Sequence, residues 1–297
     1  MESALTNRVV VYHENPRALV VTIQGLMSTL TPAEQSIAGV VLEMRHDTDS
    51  DIRLAHVAAV AGVSEATVVK FAKRLGLSGF RELREILLDY RSVVGSELHE
   101  ELALSDDPET IVRKVFRTAT QALTDTLAIF DYQAFERAAH VLAQADQRLI
   151  VGMGGSATIA RDFEHKLLRI GIPSRAHDDT HLMAMTASLL DKDDVVIGIS
   201  HSGATSSVIE CLELAAAKGA TTIALTNTTE SKLAEMADIA LISASQGSPI
   251  TAENAASRIA QLNILDALFV RIAQHHNDHI QENLEATMRS VTRKRLR

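Results

Sequence analysis

One stretch in the second half of the chain reads VVIGISHSGAT, from Val195 to Thr205, and indicates the architecture of that half. It opens with apolar, mostly β-branched residues, a pattern that indicates a buried strand. Small hydroxylated residues and glycine then follow in quick succession, at Ser200, Ser202, Gly203 and Thr205. A loop of this kind at the start of a helix offers hydroxyls and unpaired backbone N–H groups, which suit an anion. The stretch therefore predicts a strand, an anion-binding loop and a helix, in that order.

A second stretch, VGMGGSATIARDF, repeats this order from Val151 to Phe163. Its glycines let the backbone approach a ligand, and Ser156 adds a hydroxyl before the helix. Because the carboxyl ends of parallel strands share one edge of a sheet, we expect the two loops to meet there and bind one anion. Hydroxyls suit a phosphate monoester. The predicted anion-binding residues are Gly155, Ser156, Ser200, His201, Ser202, Gly203 and Thr205.

Other interpretations of these loops stay open. The sequence GMGGSA matches the dinucleotide pattern G-x-G-x-x-G only imperfectly, because Ala157 occupies the last position. Ser156 and Thr205 are also suited simply to capping the helices that follow them. His201 either donates a hydrogen bond to the anion or points to solvent.

The rest of the second half alternates apolar stretches with helical ones. RLIVGM, TTIALT and IALIS are apolar without two-residue alternation, and amphipathic stretches such as ATIARDFEHKLLRIG lie between them. This pattern is typical of parallel strands that are covered by helices on both faces. We therefore predict an α/β domain with a doubly wound parallel sheet, followed by a last helix from about Ala255 to Gln274.

The first half is predicted to be all helical. In LTPAEQSIAGVVLEM, Thr31 is a candidate N-cap, Pro32 takes the first helical position, and Glu34 lies in the first turn. An acidic, polar break ends this helix. Shorter helical stretches continue to about Arg91.

A helix-turn-helix is predicted within this half. Gly62 allows a left-handed turn that ends one helix, and Ser64 caps the next. Ala58 is small where the two helices cross, and Val68 fills the core that they share. Two helices joined by so short a turn form this motif.

One face of the second helix of this motif is basic. From Ala66 to Arg84 the chain has five basic residues and one acidic residue. Residues early in such a helix contact base edges, and flanking basic residues contact phosphates. The predicted DNA-binding residues are Thr67 and Lys70 near bases, and Ser64, Lys73, Arg74 and Arg81 near phosphates. A protein-interaction or dimerisation module with a solvated charged face is the alternative.

Composition narrows the class of protein. Hydrophobic residues make up 46% of the 297 residues and Trp is absent, so aliphatic side chains build the cores of a soluble globular protein. We find neither the ~20 apolar residues of a membrane helix nor the pattern of a signal peptide, and we expect a cytoplasmic protein. The single cysteine, Cys211, is expected in the core. The net charge of −9 argues against a chain that coats nucleic acid along its whole surface.

A polar, acidic stretch from Ser92 to Asp107 marks the domain boundary. We predict a helix-turn-helix domain over residues 1–91, a linker and connecting helix over residues 92–130, and the α/β domain over residues 131–297. A homodimer or homotetramer is expected, because helix-turn-helix proteins gain affinity by reading paired half-sites.

These motifs carry a family resemblance from about Leu30 to Ala273. GMGGSATIARDFEHKLLRIG and ISHSGATSSVIECLELAAAKGATTIALTN resemble a sugar isomerase (SIS) domain, and LTPAEQSIAGVVL with VAAVAGVSEATVVKFAKRLGLSGFRELR resembles the amino-terminal domain of the RpiR/MurR family of bacterial transcription regulators. The resemblance implies a repressor of sugar or amino sugar metabolism genes that binds double-stranded operator DNA. It also implies that the serines and the threonine named above bind the phosphate of a phosphorylated sugar effector.

An enzyme is the alternative, since SIS folds also occur in aldose–ketose isomerases, which need a base to move a proton between adjacent carbons. The candidate bases are Glu164, Glu253, His181 and His201, and for Glu164 a surface ion pair with Arg161 or Lys166 is expected instead. None lies in a pattern that demands catalysis, so we predict no catalytic residue and no cofactor. The groups HDDTH and HHNDH lack the spacing of a metal site, and no metal is predicted.

Overall fold

The computed structural model describes residues 11–44, 52–94, 102–245, 255–275 and 279–292. The chain separates into two units, the first ending at Ile129 and the second beginning at Phe130. The first is helical and the second is built on a parallel sheet, which confirms the fold class predicted for each half. The helix that we expected to connect the domains lies in the first unit, and the domain bounds given above stay a prediction.

The first unit is a set of helices around one core. They are α1 (Pro16–Leu26), α2 (Pro32–Met44), α3 (Leu54–Ala61), α4 (Glu65–Arg74), α5 (Phe80–Val94) and α6 (Pro108–Ala128). Their apolar faces bury Leu19, Ile37, Phe71 and Leu83 together. The burial of these side chains is the main favourable contribution to the fold of the unit.

Helix α1 has no counterpart in the prediction, which placed the first helix at Thr31. Its middle reads VVTI, a β-branched run with low helix propensity. Packing overrides that propensity, since Leu19 and Ile23 are fully buried. The local signal lies at its start, where the Asn15 side chain accepts a hydrogen bond from Arg17 N–H and Pro16 takes the first position.

A buried ion pair joins α1 to α6. Arg17 Nε donates to Asp125 Oδ1 at 2.6 Å, and Gln121 Nε2 donates to the same oxygen at 2.6 Å. Asp125 is only 4% exposed. Removing one partner of a buried pair costs about 3–5 kcal/mol, because it leaves an uncompensated charge in the core. The pair therefore holds α6 against α1 within the helical unit.

Helix α2 begins as predicted, with a reciprocal capping box. Thr31 N–H donates to Glu34 Oε2 at 2.9 Å, and Glu34 N–H donates to the Thr31 hydroxyl at 3.4 Å. Arg74 of α4 donates to the same carboxylate oxygen at 2.7 Å. Burial favours the neutral carboxyl, but the hydrogen bonds from Thr31 and Arg74 outweigh it and hold the pKa of Glu34 below its usual value. Glu34 thus connects the start of α2 to the end of α4.

The second unit alternates helices and strands. In chain order these are α7 (Tyr132–Gln144), β1 (Arg148–Gly152), α8 (Gly155–Arg169), β2 (Arg175–His177), α9 (Thr180–Ala187), β3 (Val195–Ile199), α10 (Ser206–Ala217), β4 (Thr221–Thr226), α11 (Lys232–Met236), β5 (Ile239–Ile242), α12 (Ala255–His275) and α13 (Ile280–Thr292). The four longer strands coincide with the four apolar stretches of the sequence. The edge strand β2 has three residues and was not among them.

The strands form one parallel sheet in the order β2-β1-β3-β4-β5. The chain passes from β1 to β2 on one side and then crosses to β3 on the other side of β1. The direction of winding therefore reverses between β1 and β3. Ligands of open α/β sheets bind outside the carboxyl ends of the strands at such a switch point.

Helices cover both faces of this sheet. On one face, α7, α8 and α12 contribute Leu142, Phe163 and Leu265 to the core. On the other face, α9 and α10 contribute Met183 and Leu212. This two-sided burial is the doubly wound arrangement that the apolar strands predicted.

Within the described ranges, no single helix is both long and apolar enough to cross a membrane. Helices α3 and α4 meet the length and composition test only together, across a bend of 99°. Their apolar residues Val57, Ala58, Val68 and Phe71 are buried in the core of the helical unit.

Replacing Glu34 by Gln is expected to destabilise the helical unit by about 1–2 kcal/mol, because the capping box loses its charge and Arg74 loses its partner. The pKa of Glu34 is lowered on folding, so its contribution is fully present above the ordinary value of 4.5 and is lost as the pH falls below it. Urea denaturation of the variant and the wild type at neutral and acidic pH measures both effects.

The control is Glu85→Gln, since the Arg81–Glu85 pair is an exposed contact one helical turn apart. Such pairs contribute about 0.3–0.5 kcal/mol. Equal losses for the two variants would contradict the role given to Glu34.

Candidate anion site and nucleic-acid interface

The two hydroxyl-rich loops leave the sheet from neighbouring strands. β1 and β3 are hydrogen-bonded partners, and Gly152 at the end of β1 is in register with Ile199 at the end of β3. The loop after β1 leads into α8, whose second residue is Ser156, and the loop after β3 carries Ser200 to Thr205. Both therefore emerge at the carboxyl edge of the sheet, at its switch point.

The loop after β3, residues 200–205, is closed by hydrogen bonds of its own side chains. The Ser200 hydroxyl lies 2.8 Å from the Thr205 hydroxyl and accepts a bond from Gly203 N–H at 3.2 Å. Ser200 is 3% exposed, so these bonds lie beneath the surface. Ser202 is exposed, and its hydroxyl accepts from Ala204 N–H at 3.3 Å. Ser200 thus shapes the loop, and Ser202 borders the solvent.

The carbonyl oxygens of this loop are held by the rest of the unit. The His201 carbonyl accepts from the Thr226 hydroxyl at 3.2 Å and from Asn227 N–H at 3.1 Å. The Gly203 carbonyl accepts from Leu233 N–H at 3.1 Å. Carbonyl oxygens repel anions, so the occupation of these two by protein donors favours anion binding at nearby N–H groups that have no protein partner.

Helix α10 adds further donors at the end of the loop. Among the described residues, the backbone N–H groups of Ser206 and Ser207 have no hydrogen-bond partner, as is usual in the first turn of a helix. The loop and this first turn contain no Lys or Arg. Positive potential therefore comes from N–H dipoles and the helix terminus.

Gly203 is required by both conformation and space. Its φ is +63°, where side chains are disfavoured. A Cβ atom here would lie 2.1 Å from Ser231 Oγ and 2.9 Å from Thr226 Oγ1. The close approach of the loop to α11 therefore depends on glycine.

The capping interpretation of Ser156 and Thr205 is wrong. The N-cap of α8 is Gly154, with φ +56°, and the half-buried Ser156 hydroxyl makes no hydrogen bond to the described residues. Thr205 occupies the N-cap position of α10 without a capping bond, because its hydroxyl is engaged with Ser200. Ser156 has a hydroxyl to offer to a ligand, and Thr205 supports Ser200.

A contact that the sequence did not predict reaches this loop from α12. Ser257 Oγ lies 2.6 Å from His201 Nδ1, although 56 residues separate the two. Ser257 is 3% exposed and His201 is half-buried. Local sequence signals carry no information on so distant a pair.

The candidate catalytic bases have other roles where the structure describes them. Glu164 does not pair with Arg161 or Lys166; its carboxylate accepts from Ala176 N–H of β2 at 3.0 Å. His181 is exposed in the first turn of α9. Glu253 lies outside the described residues. Burial raises the pKa of the Cys211 thiol to about 12, so this side chain is a poor nucleophile at neutral pH.

Three residues of the first histidine-rich group make structural contacts. Asp179 caps α9, Asp178 pairs with Arg161, and His177 Nε2 lies 3.1 Å from the Thr186 hydroxyl. In the second group His276 lies outside the described residues. Over the ranges that the structure covers, no three His, Cys, Asp or Glu side chains are placed to hold a metal ion.

The helix-turn-helix has the predicted local structure. Gly62 ends α3 with φ +67°, and Val63 N–H donates to the Ala58 carbonyl at 3.0 Å. Helices α3 and α4 cross at 99°, within the range of this motif. Ala58 and Val68 are buried between them. The Ser64 hydroxyl caps α4 by accepting from Thr67 N–H at 3.2 Å and lies 2.8 Å from the Thr67 hydroxyl.

The predicted DNA contacts differ in their surroundings. Lys70 and Lys73 are exposed and, among the described residues, make no ion pair. Arg81 pairs with Glu85 at 2.9 Å, but its side chain is 92% exposed. Arg74 is held by Glu34. Of the four basic side chains predicted to bind DNA, Arg74 is the one that stabilises the fold, through its ion pair with Glu34.

Comparison with known proteins assigns both units. Residues 18–93 match the model described as the helix-turn-helix domain of the rpiR family, and residues 141–271 match the SIS domain. The HTH-type transcriptional regulator RpiR of Escherichia coli K12 is 42% identical over 231 residues, which cover 78% of each chain. The chain belongs to the RpiR family of helix-turn-helix transcriptional regulators.

Solved structures agree with this assignment. The NanR protein of Vibrio vulnificus, complexed with ManNAc-6P, is 26% identical to this RpiR-family regulator, covers 94% of this chain and 100% of its own, and has a TM-score of 0.60. Phosphoheptose isomerase of Neisseria gonorrhoeae is 22% identical, covers 57% of this chain and 100% of its own, and has a TM-score of 0.50. The second similarity shows the SIS fold alone.

Replacing Gly203 by Ala in this RpiR-family regulator is expected to cost about 2–4 kcal/mol, because backbone strain and the collision with Ser231 add together. The matched control is Gly62→Ala, which shares the positive φ but meets no atom within 4 Å. The control should lose only about 1–2 kcal/mol. Urea denaturation measures both losses, and an equal loss for the two variants would show that Gly203 is not tightly packed.

Proposed function

We propose that this RpiR-family regulator is a cytoplasmic repressor of sugar or amino sugar metabolism genes, controlled by a phosphorylated sugar bound in its SIS domain. The observation that carries the proposal is the position of the two hydroxyl-rich loops. They follow neighbouring strands at the switch point of the sheet, where protein donors occupy the His201 and Gly203 carbonyls of the loop after β3. A phosphate monoester is the anion that fits hydroxyl and N–H donors without lysine or arginine.

The proposed effector site contains the residues named from the sequence. Ser202 and Ser156 would donate hydroxyl hydrogen bonds to the phosphate, while the first turn of α10 would donate backbone N–H groups. Ser200, Gly203 and Thr205 would hold the loop in shape, with Gly155 allowing close approach and His201 at the border of the site. The similarity to NanR, complexed with ManNAc-6P, supports an N-acetylated amino sugar phosphate as one candidate effector.

The proposed DNA interface is the exposed face of α4 with its N-cap, together with Arg81 of α5. Thr67 and Lys70 would face base edges, whereas Ser64, Lys73 and Arg81 would contact phosphates. We assign Arg74 to the support of α4, because Glu34 already binds it. Two copies of the chain, as a dimer or within a tetramer, would read the two halves of an operator.

We propose no catalytic role for the SIS domain. Isomerisation needs a base within reach of the sugar, and Glu164 is committed to the backbone of β2. A sensor needs two conformations, one that binds DNA and one that does not. The effector must bind these two conformations with different affinity. The affinity for DNA and the affinity for the sugar phosphate must then change by the same factor.

Replacing Ser202 by Ala is expected to weaken binding of the sugar phosphate by about tenfold or more, since a hydrogen bond to a charged group is lost. DNA binding in the absence of effector should not change. Calorimetric titration with a panel of hexose, pentose and N-acetylhexosamine phosphates measures the first effect, and fluorescence anisotropy measures the second.

The control for Ser202 is Ser188→Ala, an exposed serine whose hydroxyl donates to the Met185 carbonyl. It should behave as the wild type in both assays. An unchanged affinity of the Ser202 variant for every sugar phosphate that binds the wild type would refute the assignment of the site.

Replacing Lys73 by Ala is expected to weaken binding to all double-stranded DNA sequences and to reduce the salt dependence of log K by about one unit of slope, because one phosphate contact is lost. The matched control is Lys192→Ala, whose side chain is 78% exposed and pairs with Asp193. Anisotropy titrations over a range of salt concentrations test both. A slope that falls for Lys192 and not for Lys73 would place the DNA interface elsewhere.

A further inference from the structure

Helix α12 reaches the proposed phosphate loop through a short side-chain contact. Ser257 Oγ lies 2.6 Å from Nδ1 of His201, and Ser257 is almost completely buried. His201 stands between Ser200 and Ser202 in the loop. The contact therefore joins a long helix to the residues that would bind the phosphate.

His201 is fixed at two points that belong to different elements. Its carbonyl is bound by Thr226, the last residue of β4, and by Asn227, which follows it. Its ring is bound by Ser257 of α12. A displacement of the loop relative to the sheet must therefore strain or move the Ser257 hydrogen bond, because the histidine backbone and ring cannot move independently by more than a rotamer change.

Helix α12 is in turn fastened to the first helix of its unit. It packs against α7 and α8. Arg271 of α12 binds Glu136 of α7 in the two-pronged manner of arginine and carboxylate, with Nη2–Oε1 at 2.6 Å and Nε–Oε2 at 2.9 Å. Only residues 129–131 lie between α6 of the helical unit and α7 in the sequence.

We infer that Ser257 is a positioning residue that passes the state of the phosphate loop to α12 and, through the Arg271–Glu136 pair, to α7. The inference rests on the proposed function, since it requires phosphate to bind in the loop. It adds the elements by which binding would change the rest of the protein. A hydrogen bond with two arrangements, one biased by the ligand, is the physical requirement for such coupling.

Hydrogen exchange of the full-length protein, with and without inorganic phosphate, tests this inference. In the wild type, phosphate is expected to slow exchange in residues 200–207 and also in the first turns of α12. In Ser257→Ala the loop should still be protected, with phosphate affinity reduced by less than about tenfold, the factor that one neutral hydrogen bond gives. The protection of α12 should be lost.

Two further variants separate transmission from a general loss of packing. Ser257→Thr keeps the hydroxyl and is expected to restore the protection of α12. Ser290→Ala removes an exposed hydroxyl that donates to the Thr287 carbonyl within α13, and it should respond to phosphate as the wild type does.

Equal protection of α12 in the wild type and in Ser257→Ala overturns the inference. So does a Ser257→Ala protein that no longer binds phosphate, because Ser257 would then belong to the binding site itself. If phosphate does not slow exchange at residues 200–207 of the wild type, the proposed function is overturned as well. When the inference alone fails, phosphate still slows exchange in this loop. If Ser257→Ala does not fold, hydrogen exchange of the wild type alone tests the inference. Phosphate that slows exchange in the loop but leaves exchange in α12 unchanged contradicts it.

Discussion

The hydrogen bonds to the carbonyls of His201 and Gly203 are the constraint on which the SIS site depends. A loop of six residues, five of them small, has little side-chain bulk to define its shape, so much of its shape must come from the backbone. Donors from Thr226, Asn227 and Leu233 occupy the carbonyls. The N–H groups of Ser206 and Ser207 in the first turn of α10 then remain among the polar groups available to an anion. The same constraint explains why Gly203 has no room for a side chain and why Ser200, although buried, is polar.

In the helical unit, structural contacts fix the two ends of α4. Arg74 and Ser64 lie at the two ends of α4, where one binds Glu34 and the other caps the helix. Between them, Lys70 and Lys73 stay exposed on a helix whose ends are fixed. This arrangement favours the proposed DNA contact, because a mobile helix would lose conformational entropy on binding.

Much of this architecture could be predicted from the sequence, because its signals are local. Gly62 and Ser64 mark the turn of the helix-turn-helix through their own backbone preferences, and the apolar strands identify themselves without reference to their neighbours. The position of Ser156 and Ser200 at one edge follows from the parallel order of the strands. The interpretation of Thr205 as a helix cap was wrong, because the Thr205 hydroxyl is engaged with the Ser200 hydroxyl instead of a backbone N–H of α10.

Long-range contacts could not be predicted in the same way. Glu34, which binds Arg74, lies 40 residues away in the sequence, and Ser257, which contacts the His201 ring, lies 56 residues away. Such pairs depend on how whole helices pack. Helix α1 was missed for the same reason, since its β-branched middle is helical only because the core buries it. Residues that act through such contacts, Ser257 above all, therefore become visible only in the folded chain.

We propose that a phosphorylated sugar binds between the β1 and β3 loops and is sensed rather than converted. A thermal-shift screen of the full-length protein against sugar phosphates, with chemical analysis of the recovered ligand, tests it most directly. A ligand at a hundred times its Kd adds about 2.7 kcal/mol of stability, which corresponds to a shift of several degrees. We expect such a shift for one class of phosphorylated sugar, which is recovered unchanged. No shift with any sugar phosphate, or recovery of an isomer, would contradict it.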